Sequence, residues 1–131
     1  MKQLSIISAT TVGGRSGKGK TSDDKLETPF APTGVTPEHL FALGYSACFL
    51  GAMRVAAQQT KIKVPDGSTV TAEIGIGPRS EGGFGITAAL DVYLPGLPEA
   101  DAHKLVETTH GICPYSNAIK ASVDVTTTTH G

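Results

Sequence analysis

Hydrophobic and polar positions alternate from Lys2 to Thr11, with Leu4 and Ile6 on one side and Ser5 and Ile7 on the other, which predicts a strand. A stretch rich in Gly, Lys, Asp and Pro follows from Val12 to Val35 and reads as a loop. Thr36-Pro37-Glu38 is a helix start: Thr as N-cap, Pro in the first helical position and a carboxylate in the first turn. The helix is predicted to run to about Thr60 through Leu40, Phe41, Leu43, Gly44, Ala47, Cys48, Leu50, Gly51 and Val55. Its middle is apolar on nearly every face, so it should be buried on several sides. A chain this short has little material to surround such a helix, which points to a second subunit.

Thr69–Gly77 and Phe84–Leu94 are strand-like and joined by Pro78-Arg79-Ser80-Glu81-Gly82-Gly83, a predicted hairpin. Gly96-Leu97-Pro98-Glu99 opens a second helix, with Ala102, Leu105, Val106 and Thr109 at helical spacing. It should end near Cys113, because Pro114 disfavours helical geometry in the residue before it. Tyr115–Ala121 reads as a further helical turn, and Val123–Thr128 as a closing strand. The final Thr126-Thr127-Thr128-Thr129-His130-Gly131 is polar for such a strand. Strand, long loop, helix, hairpin, helix and strand make an α+β protein with one domain over residues 1–131.

Composition narrows the function. At 131 residues and 39% hydrophobic, the chain suits one compact domain, too apolar for disorder and too interrupted to span a membrane. A net charge of -1 without a basic patch argues against nucleic acid. The N-terminus has no signal-peptide pattern, so a cytoplasmic protein with reduced cysteines is expected.

One motif invites a reading it does not support. Gly14-Arg15-Ser16-Gly17-Lys18-Gly19-Lys20-Thr21 matches the phosphate-loop pattern GxxxxGK[ST] and follows a predicted strand. That chemistry requires a helix to begin at the end of the loop, aiming its dipole at the anion. Ser22-Asp23-Asp24-Lys25-Leu26-Glu27-Thr28-Pro29 supplies no apolar stripe for one. A flexible cationic loop is the better reading. His110 and Cys113 are three apart on a helical turn, but His39, His103 and His130 do not complete a ligand set, so no metal is assigned.

On number alone, two cysteines in a chain without CxxC fit small buried hydrophobes. Cys48 in Gly44-Tyr45-Ser46-Ala47-Cys48-Phe49-Leu50-Gly51 has apolar neighbours, which raise a thiol pKa. A reactive Cys48 therefore needs a cation. Arg54 lies on a different helical face, and Arg15 in the glycine-rich loop is a candidate.

Three segments resemble the organic hydroperoxide resistance branch of the Ohr/OsmC family. They are Thr10–Gly17, which carries Gly-Gly-Arg, then Pro37–Phe49 with Gly-Tyr-Ser-Ala-Cys-Phe, and His110–Ala118 with Cys-Pro-Tyr-Ser-Asn-Ala. Gly75-Ile76-Gly77-Pro78 and Gly82-Gly83-Phe84-Gly85 are similar to the family's hairpin. The resemblance implies an antiparallel sheet packed with a long buried central helix and a second helix, in an intertwined homodimer with active sites at the subunit interface. It implies Cys48 as peroxidatic cysteine, Cys113 as resolving cysteine, Arg15 as the group holding the thiolate, and Glu38 as the carboxylate positioning that arginine. It further implies reduction of organic hydroperoxides with no bound cofactor, and recycling by an external dithiol such as dihydrolipoamide or a lipoylated protein. The chain departs from the family in a shorter stretch between Arg15 and Glu38. An OsmC-type peroxidase of broader peroxide use, and a thiol sensor or ligand-binding dimer without turnover, are the competing readings.

Helix geometry bears on the subunit question. Glu38 and Cys48 are ten residues apart on one helix, roughly 15 Å along its axis. An arginine held by Glu38 is out of reach of the same helix's Cys48. Antiparallel packing of two such helices about a two-fold axis brings one chain's Glu38 nearer the other's Cys48.

Overall fold

The structure is a computed structural model of the chain and describes residues 1–131. The chain divides into two compact units, Met1–Leu40 and Phe41–Gly131.

The first unit carries a three-stranded antiparallel sheet of β1 (Ala9–Val12), β2 (Lys18–Thr21) and β3 (Glu27–Pro29). Two sequence expectations are corrected here. The predicted strand Lys2–Thr11 is realised only from Ala9, and Leu4, Ile6 and Ile7 stand exposed. Alternation marks a segment able to be a strand, but a strand forms only where a neighbour accepts its backbone, and residues 2–7 have none within the chain. The predicted loop Val12–Val35 holds two strands that a Gly- and Lys-rich sequence disguises. Lys18 is paired with Glu27 across the β2–β3 ladder at 2.6 Å. Gly19 stands where a Cβ would lie 2.7 Å from Thr11 Oγ1 and 3.0 Å from the Phe30 ring, so a side chain there has no room. Because Lys18–Thr21 is a strand, the phosphate-loop pattern has no helix behind it, and Lys20 is paired with Asp24.

Helix α1 spans Pro37–Thr60. At its start His39 Nδ1 accepts from the Thr36 backbone N–H at 3.0 Å and lies 2.8 Å from the Thr36 hydroxyl, while the His39 backbone N–H donates to the Thr36 carbonyl oxygen. The bond from the Thr36 backbone N–H to His39 is one half of a capping box, with His in the place of Glu or Gln.

In the second unit, β4 (Thr69–Pro78) and β5 (Phe84–Tyr93) form the predicted hairpin. Helix α2 (Glu99–Ile112) is followed by α3 (Pro114–Ile119) and by β6 (Val125–His130). The antiparallel sheet expected here is mixed, because β6 runs parallel to β5, from Ala88 opposite Val125 to Tyr93 opposite His130. The α2–α3 crossover makes that possible, since parallel neighbours need a long connection.

Tyr45, Phe49, Ala52, Met53 and Ala56 form one buried stripe of α1 at helical spacing. Against it pack Ala88, Leu90 and Val92, alternate residues of β5, together with Leu105 and Val106 of α2 and Cys113. Full burial of each large side chain contributes about 1.5–3 kcal/mol. Burial of α1 within one chain is thus one-sided. Leu43, Ala47, Gly51 and Val55, spaced by four, are exposed on another face. By length and composition alone α1 is apolar enough to cross a membrane, a test that the core helix of a globular protein also passes.

Candidate functional site

The glycine-rich turn presents Arg15. Gly13 and Gly14 take positive φ, 80° and 56°, and a Cβ on Gly17 would fall 1.6 Å from the Val12 carbonyl oxygen. Only glycine allows this one-turn 3₁₀ loop to close. From it Arg15 reaches Glu38 in the first turn of α1 with both arms of its guanidinium: Nη1 donates to Oε2 at 3.0 Å and Nη2 to Oε1 at 2.5 Å. Such forked pairing fixes the plane of the guanidinium as well as its place. The Arg15 fork, aided by the residue's own backbone amide and the Thr36 hydroxyl, holds the Glu38 carboxyl down at about 2 against partial desolvation, and Glu38 in turn raises the Arg15 pKa. The charged form is favoured, so the pair is complete above the ordinary value of 4.5 and is lost only as pH falls through about 2. A carbon-detected NMR titration of the Glu38 carboxyl is expected to give a midpoint near 2. A midpoint near 4.5 would show that the fork does not persist in solution.

The second unit brings the two cysteines together, 65 residues apart in sequence. Cys113 Sγ donates toward Cys48 Sγ at 3.7 Å, and both thiols are free. The local chain explains the placement. Cys113 takes an extended conformation, φ -63° and ψ 119°, because Pro114 follows it, and so breaks α2 from α3. Acting as N-cap of α3, its sulfur accepts the Ser116 backbone N–H at 3.5 Å. Cys48 projects from α1, half-buried, whereas Cys113 is wholly buried.

Burial pushes the Cys48 thiol up from its ordinary value; the Tyr115 backbone N–H works the other way, and Cys113 adds to the rise. No cation is among these influences, so within this unit Cys48 is a protonated thiol at neutral pH.

Aromatic side chains frame the pair. Tyr115 lies edge-on to Phe41 at 6.2 Å and tilted against Tyr45 at 6.1 Å, while Tyr45 meets Phe49 edge-on at 6.4 Å. Gly44 allows the Tyr115 approach, since a Cβ there would lie 3.2 Å from its ring. Behind them runs a polar chain that the sequence reading did not foresee: Tyr45 hydroxyl, Ser116 Oγ, His110 Nδ1, then His110 Nε2 and Thr127 Oγ1. The sequence weighed His110 only as a metal ligand beside Cys113. Its signal was the three-residue spacing that sets Tyr45 beside Cys48 and both His110 and Ser116 beside Cys113. No group of His, Cys, Asp and Glu side chains converges as a metal site.

A reduced thiol pair held between a central helix and a following helical turn in an α+β unit defines a dithiol protein. The OsmC-like protein family matches residues 30–128. The chain is 43% identical to the organic hydroperoxide resistance protein of Xanthomonas axonopodis pv. citri over 97% of its own length and 95% of the relative's. A crystal structure of an organic hydroperoxide resistance protein from Legionella pneumophila superposes with a TM-score of 0.92 at 35% identity, covering 99% of this chain and 100% of that one. The corresponding protein of Elizabethkingia anophelis gives 0.89 at 38% identity, covering 100% and 99%. The chain belongs to the OsmC-like family, in its organic hydroperoxide resistance branch.

Proposed function

We propose that this protein is a thiol peroxidase that reduces organic hydroperoxides to alcohols, with Cys48 as the attacking thiolate and Cys113 as the resolving thiol. The observation that carries the reading is the pair of free sulfurs 3.7 Å apart, one half-buried and one buried. The accessible sulfur meets the peroxide, and the buried one waits for the product of that reaction. Cys48 thiolate attacks one peroxide oxygen, the O–O bond breaks, the alkoxide leaves and is protonated as the alcohol, and Cys48 becomes a sulfenic acid. Cys113 condenses with it to a disulfide and water, which protects Cys48 from further oxidation. An external dithiol, such as dihydrolipoamide or a lipoylated protein, reopens the disulfide by exchange, so no bound cofactor is required.

Burial alone leaves Cys48 protonated, and the cation we assign to it is Arg15, oriented by Glu38. Glu38 precedes Cys48 by ten helical residues, roughly 15 Å of rise, so an Arg15 bonded to Glu38 serves the Cys48 of a second copy. The protein therefore acts as an intertwined homodimer with its sites at the subunit interface, each chain contributing as a single domain. Two features favour this assembly. The exposed seam Leu43, Ala47, Gly51 and Val55 has small residues at its centre that let a second helix approach closely. The exposed, alternating residues 2–7 lack a strand partner within the chain. With Phe41, Phe49, Leu50 and Met53 about the thiol, an alkyl or fatty-acid hydroperoxide is favoured over hydrogen peroxide. A reducing cytoplasm suits the two free thiols.

Consumption of cumene hydroperoxide by the purified protein with dihydrolipoamide, beside an equal dose of hydrogen peroxide, tests the reading. Sustained turnover with a clear preference for the organic peroxide is expected. Absence of turnover in folded, reduced protein would leave the thiol pair a sensor or a structural feature.

A further inference from the structure

Behind the thiol pair, two side chains converge on a single atom. Ser116 Oγ lies 2.7 Å from the Tyr45 hydroxyl and 3.0 Å from His110 Nδ1. The other ring nitrogen, His110 Nε2, lies 2.9 Å from Thr127 Oγ1 on β6. Tyr45 is fully buried, Ser116 nearly so, and the His110 ring stands edge-on to Phe49 at 4.8 Å. Burial lowers the His110 pKa, so the ring is neutral, with one nitrogen donating and the other accepting. Whichever way the protons run, His110 ties the first turn of α3 to strand β6. Ser116 is also the residue whose backbone N–H donates to Cys113 Sγ. What fixes Ser116 therefore fixes the sulfur.

We propose that His110 is a positioning residue for disulfide closure: by tethering Ser116 to β6 it holds Cys113 Sγ in line with Cys48 Sγ. The inference rests on the peroxidase reading above and deepens it. In closure the Cys113 sulfur forms a bond to the Cys48 sulfur as the S–O bond of the sulfenic acid breaks. The Cys113 thiol proton leaves with the departing hydroxyl as water, Cys113 being oxidised and the sulfenic sulfur reduced. The sulfurs must approach from 3.7 Å to about 2.05 Å with a defined dihedral angle. A loosened turn spends less time in that geometry, and the rate falls in proportion. His110 touches neither reacting sulfur nor peroxide, so the attack on peroxide does not depend on it.

The test separates the two steps. His110→Phe keeps the ring volume and removes both nitrogens; His110→Asn restores an amide able to bond Ser116 Oγ. After one equivalent of cumene hydroperoxide, sulfenic acid is followed by rapid trapping with dimedone and disulfide by loss of free thiols. The phenylalanine variant is expected to form sulfenic acid at the wild-type rate and to close the disulfide at least tenfold more slowly, with more sulfinic acid under excess peroxide. The asparagine variant should recover part of that loss. Wild-type closure in His110→Phe, or equal slowing of both steps, would overturn the assignment. Should His110→Phe fail to fold, Thr127→Val removes only the bond at the strand end, and a severalfold slowing of the same step is expected; unchanged closure in that variant would overturn it equally. If wild-type protein forms neither sulfenic acid nor disulfide, the peroxidase reading falls as well. If wild type cycles and the variants match it, only the role of His110 falls.

Discussion

Replacing Cys48 with serine is expected to abolish peroxide reduction outright, whereas replacing Cys113 with serine leaves one turnover and then stops. The difference follows from where the sulfurs sit. Cys48 is the half-buried one, the only sulfur of the pair that a peroxide reaches without displacing core. A hydroxyl in its place is neither ionised nor nucleophilic at neutral pH, and Cys113, wholly buried, cannot substitute. Without Cys113 the first step survives, but the sulfenic acid has no thiol at 3.7 Å to condense with and advances under excess peroxide to the sulfinic acid. Stopped-flow consumption of one equivalent and of fifty equivalents separates the cases. Normal steady-state turnover in either variant with dihydrolipoamide would break the two-cysteine scheme.

Arg15→Ala is expected to slow the first step by about 10²–10³-fold, the usual loss when one preorganised donor to developing charge is removed. Arg15 is an exposed loop residue, so the change removes charge and leaves the buried core alone. The sign of the pH effect follows from Cys48 itself. Burial raises the thiol above its ordinary 9.0, and a guanidinium delivered to it favours the thiolate and lowers it. Wild-type protein should therefore alkylate at Cys48 with a midpoint below 9.0, and Arg15→Ala with one above it. Equal midpoints would remove Arg15 from the account. Glu38→Gln keeps the cation and loses the forked partner, so a smaller loss in the same step is expected.

Much of this was legible in the sequence where the signal is local. Thr36-Pro37-Glu38 starts α1 at the residue observed, Pro114 breaks the chain at Cys113, and the glycine cluster before Phe84 turns the hairpin. The roles proposed for Cys48, Cys113, Arg15 and Glu38 come from a resemblance; cysteine count alone favours ordinary buried thiols for Cys48 and Cys113. What stayed hidden is set by contacts distant in sequence. Alternation in β6 reveals a strand but not its direction, so the parallel pairing with β5 was missed. The polar threonines there looked out of place until Thr127 was found to meet His110. Strand β2 was invisible because Lys-Gly-Lys-Thr carries low β-propensity and is held by its ladder and by the Lys18–Glu27 pair. The Tyr45–Ser116–His110 convergence joins three elements, and no single stretch of sequence announces it.

The proposed cycle turns on a Cys48–Cys113 disulfide formed by an organic hydroperoxide. The most direct test is to add one equivalent of cumene hydroperoxide to fully reduced protein and map the product by non-reducing peptide mass spectrometry. The predicted result is loss of both thiols per hydroperoxide consumed, with a single cross-linked pair of peptides, one containing Cys48 and the other Cys113, restored to free thiols by dihydrolipoamide. Consumption of the peroxide with Cys113 still free, or two intact thiols beside unreacted peroxide, would contradict it.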